Sequence, residues 1–363
     1  RAATFAPMPM ADVSANAADQ KLEITASRLF VSWLAEQRAS IAFSTYQVGK
    51  LFLIGLDEHG KLAVFNRTLA RVMGLAAHDQ SLWVATLWQL WRFENALQKG
   101  ERHGAFDRYY VPQLAYTTGD IDVHDVAVDA AGEPVFVSTL YSCLARPDVK
   151  YNFRPIWKPP FVSRYAAEDR CHLNGLAMHN GEPAYVTCVA RSDVNEGWRE
   201  HRHDGGLVID VRSNEIICTG LSMPHSPRWH QGRLWILNAG SGEFGFVDTQ
   251  RGRFEPIAFC PGFLRGASFI GRYAVVGISK PRKNKTFSGL ALDRNLEAKG
   301  ASARCAVQVI DLERGDVVHE LRIEGMVDEL FDTAVIPGAR NPAMVGFVSD
   351  EIRRTLSLPP DAR

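Results

Sequence analysis

The sequence offers no excess of charge, no membrane span and no cysteine framework. Lys plus Arg and Asp plus Glu both number 41, giving a formal net charge of zero. With no basic surplus to neutralise phosphates, nucleic acid is not an expected partner. Apolar runs stay short, as in LFLIGL at 51–56, far below the roughly 20 residues of a membrane-spanning helix. No membrane association is expected. The cysteines (Cys143, Cys171, Cys188, Cys218, Cys260, Cys305) show no Cys-x-x-Cys spacing. That argues against a zinc ribbon or disulfide staples and for reduced thiols in the core. The stretch RAATFAPMPMADVSANAADQ lacks the apolar centre of a secretory signal, so a flexible lead over residues 1–23 and a cytoplasmic location are expected.

What the sequence has is a repeat. A small motif, a short strand, a turn with Asp, His or Gly and a second strand recur. The copies are MGLAAHDQSLWVAT (from 73), HDVAVDAAGEPVFVST (124), NGLAMHNGEPAYVT (174), HSPRWHQGRLWILN (225), RGASFIGRYAVVGI (265) and FDTAVIPGARNPAMVGF (331). Further strand-like segments follow each copy. Four short antiparallel strands per unit of about 40 to 50 residues are the signature of a propeller blade. The N-terminal segment has SIAFSTY, KLFLIGL and KLAVFNR but no inner strand, and FDTAVIP supplies it. We therefore expect an all-β chain, a six-bladed β-propeller closed by pairing N- and C-terminal strands. A single propeller spans 24–350, with an inserted loop or lid at 279–304 and a tail at 351–363. The apolar spacing of ITASRLFVSWLAEQRA predicts an N-terminal helix over 24–39.

The first residues of inner strands surround one mouth of a propeller channel. Aligned by copy they read Met73, His124, Asn174, His225, Arg265, Phe331; residues two earlier, facing the same way, read Arg71, Asp122, His172, Met223, Phe263, Glu329. With eleven histidines in 363 residues, twelve positions would hold about 0.4 by chance; these hold three. Imidazoles converging with a carboxylate and an amide suit a divalent metal with an open coordination position, whether Zn, Fe, Mn, Cu or Ca. The ordinary competitor is a polar channel whose groups satisfy one another and buried water. His78, His179 and His230 fall in turns at the other end of the blades. The loops between second and third strands add Trp88, Tyr141, Arg199 and Lys280 to the rim, a set suited to a small polar or anionic ligand.

NGLAMHNGEPAYVT and PHSPRWHQGRLWIL resemble inner-strand motifs of the gluconolactonase/regucalcin six-bladed propellers. That resemblance implies a divalent metal held by a closing-blade Glu, here near Glu329, and by the Asn of the NGL motif, here Asn174. His225 stands where that family has a metal-binding Asp, and His124 where it has a substrate-contacting Asn. More of the chain, from 40 to 340, resembles a bacterial family of conserved proteins of unknown function, through FSTYQVGKL, GDIDVHDVA, EDRCHLNGLAM, SMPHSPRWHQGRLW and CPGFLRG.

The expected function is metal-dependent hydrolysis or elimination on a small polar or anionic substrate. His124, His172, His225, Asn174 and Glu329 are the candidate metal ligands. Asp122, Asp125 and His225 are the candidate catalytic groups, with either Asp as base or ligand orienter. Arg71, Trp88, Tyr141, Arg199, Arg228, Arg265 and Lys280 are the candidate substrate contacts. Iron or copper redox chemistry on the same site is one alternative; a non-catalytic propeller binding a peptide or protein is another.

Overall fold

The structure, a computed structural model, describes residues 21–282 and 286–359. Its strands form six sheets around a central channel. Counted from the closing blade, the inner strands are Thr333–Pro337, Leu75–His78, Val123–Val128, Leu173–His179, Pro224–His230 and Phe263–Ile270. Neighbouring inner strands touch around a complete ring. The ring closes in blade 1, where Ala39–Thr45 pairs antiparallel with Thr333–Pro337 in the register Ala39↔Pro337 to Phe43↔Thr333.

Both ends of the described chain cover sheet edges that would otherwise offer unpaired backbone groups. Glu23–Ala26 adds a fifth strand to blade 6 against Asp316–Glu324. Pro342–Met344 runs parallel to the outer strand of blade 2. This corrects the helix expected over 24–39: its first turn is strand, and the helix is Phe30–Gln37. Phe30, Trp33 and Leu34 bury their apolar face between blades 1 and 6, and Arg38 ends the helix in the left-handed region at φ 50°. The segment expected as the inserted loop carries a short helix, Ala291–Ala298, with Phe287, Leu290 and Leu292 buried against blades 5 and 6. The expected lead falls mostly on residues 1–20, outside the described residues. Among the described residues, no helix is long and apolar enough to cross a membrane, and all six cysteines are buried and free.

An alternation around the channel ties the ring together. The second residues of the six copies are Asp332, Gly74, Asp125, Gly175, Ser226 and Gly266. From the odd blades, Asp332 accepts the Leu75 N–H (2.8 Å), Asp125 that of Leu176 (2.9 Å) and Ser226 that of Gly266 (3.1 Å), each on the next blade. The even blades have glycine because their neighbours press close. A Cβ on Gly74 would lie 3.1 Å from the Asp125 Cα, and one on Gly266 would lie 2.6 Å from that of Asp332. Arg228 fills the space these groups enclose. It donates to both oxygens of Asp125 (2.7 and 2.9 Å) and to the carbonyls of Leu176 (3.0 Å), Pro227 (2.9 Å) and Ala267 (3.0 Å). Asp332 lies 3.8 Å from the same guanidinium.

Candidate metal centre

Above the Arg228 layer, His124, His172 and His225 converge, all buried, with one ring nitrogen of each within 4.8 Å of the others. His124 meets His172 edge to face at 5.0 Å between ring centroids and His225 in a near-parallel stack at 6.5 Å. They arrive from two backbone positions. His124 and His225 are the second residues of inner strands, whereas His172 precedes one in the left-handed region at φ 50°, as do Arg71, Asp122 and Met223 at the equivalent positions of their blades. Four non-glycine residues in that region at one mouth form a recurring turn that aims side chains the strand alone would not.

The hydrogen bonds assign one tautomer to all three rings. His225 Nδ1 faces only a carbonyl acceptor, that of Met223, at 2.8 Å, so it carries the proton. His172 Nδ1 donates to Asp169 Oδ2 at 2.8 Å. His124 Nδ1 lies 2.8 Å from the Thr139 hydroxyl, whose own hydrogen goes to the Leu173 carbonyl at 2.6 Å, and 3.3 Å from the Asp122 carbonyl. With Nδ1 protonated throughout, each Nε2 keeps its lone pair. His225 Nε2 is buried with no partner. Burial, then His172 and Arg265, holds the His124 pKa well below the usual imidazole range; burial, then Arg265 and His124, does the same for His225. Neutral imidazoles backed through Nδ1 by carboxylate or carbonyl are what a first-row divalent ion requires. The three histidines could hold a metal ion.

Asp169 is a part of this centre that sequence reasoning missed. It binds both His172 and the Trp198 indole N–H (2.8 Å), and Trp198 lies over the His172 ring at 4.2 Å. Burial raises the Asp169 pKa, with His172 pulling the other way. The signal was available as an acid three residues before a histidine in EDRCH, but nothing in the repeat pattern marks it.

Other expectations need correction. Glu329 does not join the histidines: its carboxylate receives three hydrogen bonds from Arg282 (2.6, 2.8 and 3.1 Å), on the inserted segment. Asp125 is not placed as a base, because Arg228 and the Leu176 N–H take its oxygens. Arg228, expected as a substrate contact, is instead a tie between blades, with Nε, Nη1 and one Nη2 hydrogen given to protein acceptors. Asn174 is buried beside the cluster, its Oδ1 accepting from Thr187 (2.7 Å) and its Nδ2 buried without a partner.

Of the rim residues, Arg71 pairs with Asp120 and lies over Tyr46. Arg199 pairs with Glu196 at 2.5 Å and lies over Trp198. Lys280 pairs with Asp328 at 2.6 Å. Tyr141 packs on Phe153, and Trp88 is exposed. Asp122 stays at the site, with Oδ2 3.5 Å from His124 Nδ1 and Oδ1 buried and unpartnered. Arg265 does too, buried over the Phe331 ring at 4.6 Å.

A family model described as "Domain of unknown function (DUF4915)" matches residues 28–345. The chain belongs to the DUF4915 family. Among solved structures, this DUF4915 chain is similar to one in the nidogen/laminin complex, with TM-score 0.53, 11% identity and coverage of 83% of this chain and 99% of that one. It is also similar to selenomethionine-substituted virginiamycin B lyase from Staphylococcus aureus, with TM-score 0.39, 10% identity and coverage of 87% and 99%. At such identities the likeness concerns the fold. Among curated proteins nothing matches.

Proposed function

We propose that this DUF4915 propeller is a metal-dependent enzyme, with His124, His172 and His225 holding one divalent ion and the reaction being hydrolysis or elimination on a small polar substrate. The observation that carries this reading is the shared tautomer: three buried imidazoles turn Nδ1 to protein groups, keep a lone pair on Nε2, and bring a ring nitrogen each within 4.8 Å of the others. Among the described residues no protein group satisfies the buried His225 Nε2, and a buried acceptor without a partner costs about 1–3 kcal/mol, which a bound ion would relieve. A bound divalent ion supplies Lewis acidity and, with three protein ligands, an open coordination position. Asp122 is the proton acceptor in this reading, because its Oδ1 is uncommitted while Asp125 is held by Arg228.

Metal analysis after incubation with Zn, Mn, Fe(II) or Ca and dialysis tests this. One of these ions is expected at about one per chain, lost in a folded His225→Ala variant. Retention below about 0.2 per chain for every ion, unchanged by His225→Ala, overturns the reading and leaves a non-catalytic binding propeller.

A further inference from the structure

Arg265 has no role in holding the blades together that would explain its burial. It is 7% exposed, and its Nε and Nη1 are shut off from solvent with no hydrogen-bond partner among the described residues. The guanidinium lies over Phe331 (4.6 Å) and near Phe263 (5.9 Å). Phe331 also touches His124 (5.2 Å) and Phe263 touches His225 (5.7 Å), so the cation and two of the imidazoles share the same aromatic neighbours. Of the other charges nearby among the described residues, Arg282 is paired with Glu329 and Arg71 with Asp120, while Asp122 keeps one oxygen without a partner. A buried guanidinium with idle donors is costly unless an anion completes it.

Two further orphans at the same mouth of the channel narrow that anion. Asn174 Nδ2 is a second idle donor, and Asp122 Oδ1 is an idle acceptor. A complementary ligand brings acceptor oxygens for Arg265 and Asn174 and at least one donor for Asp122. We propose that this set of groups binds a small carboxylic acid carrying a hydroxyl, with its carboxylate on Arg265 and its hydroxyl toward Asp122. The inference rests on the metal-centre reading only for where the rest of the molecule is directed. A carboxylate is favoured over phosphate because phosphate offers three or four oxygens where the site shows two idle donor groups, Arg265 and Asn174.

The test is calorimetric titration of metal-free and metal-loaded protein with glycolate, acetate and inorganic phosphate. Glycolate is expected to bind, and acetate and phosphate to bind at least about tenfold more weakly, since one lost charge-assisted hydrogen bond is worth that factor or more. Arg265→Gln is expected to lose at least about tenfold in glycolate affinity at unchanged metal content, and Arg265→Lys to lose less. Asp122→Asn is expected to lower the glycolate preference over acetate. No glycolate binding by folded wild-type protein, equal binding by Arg265→Gln, or tighter binding of phosphate overturns the inference. Arg265-dependent glycolate binding without stoichiometric metal supports it while the metal-centre reading fails; stoichiometric metal without glycolate binding does the reverse.

Discussion

Asp169 holds His172 from behind, its Oδ2 2.8 Å from the imidazole Nδ1. Because the same oxygen accepts from Trp198 and the indole covers the imidazole, carboxylate and ring fix the orientation of His172 together. An acid in this position raises ligand basicity as well as aiming it. Asp169→Ala is expected to weaken metal binding by about 10–100-fold with the fold retained, read by competition with a chelating dye. Asp169→Asn, which keeps an acceptor oxygen, is expected to lose less. Equal affinities for all three proteins would show that His172 is not a ligand.

Arg228 offers a contrast, since it is built into stability. Its partners Asp125 and Asp332 have side chains only 3% exposed, so Arg228→Met would leave buried carboxylates without their cation. Breaking such a pair costs about 3–5 kcal/mol, and urea unfolding should show a loss of that order. Metal binding should survive wherever the variant remains folded. A stable Arg228→Met variant that fails only in catalysis would restore the role in substrate binding that the sequence suggested for this residue.

The blades were legible because each inner hairpin repeats the same short motif, and aligning the copies places His124 and His225 at one mouth. His172 was reachable only through the column two residues earlier, and its backbone explains why: a left-handed turn brings it level with histidines at the second positions of strands. The alignment could not say which polar groups in the ring are spent. Asp125, Arg228 and Glu329 read as chemistry from their positions, yet each is committed to a partner far away in sequence. The helix boundary was missed for a related reason. The apolar residues of 24–34 fit helical spacing, but the open edge at Asp316–Glu324 recruits the first of them as strand.

Asp332 gives the ring a pH dependence. Burial pushes its pKa up to about 7, with Arg228 opposing and Asp125 adding to the rise. A carboxyl whose pKa is higher folded than unfolded binds more protons in the folded state, so stability falls as pH rises from about 4 through about 7, by at most about 1.4 kcal/mol per pH unit. The groups facing it are Asp125, Arg228 and the N–H groups of Leu75 and Thr333. Asp332→Asn removes the titration, so its urea midpoint should decline less than that of wild type between pH 5 and pH 8. Parallel curves would mean that Asp332 stays ionised across the range.

Gly175 links packing to the site most directly. A Cβ there would lie 2.2 Å from Pro227 Cδ, 2.6 Å from Thr187 Oγ1 and 3.1 Å from the Ser226 nitrogen. Gly175→Ala must therefore push blades 4 and 5 apart, at a cost of about 1–3 kcal/mol. The displaced groups adjoin the candidate centre: Ser226 follows His225, and the Thr187 hydroxyl holds Asn174 Oδ1 at 2.7 Å. Both the melting temperature and the metal affinity are expected to fall. A lower melting temperature with unchanged metal affinity would show that the outer strands absorb the shift, and that His225 is positioned by the Met223 carbonyl rather than by the contact between blades.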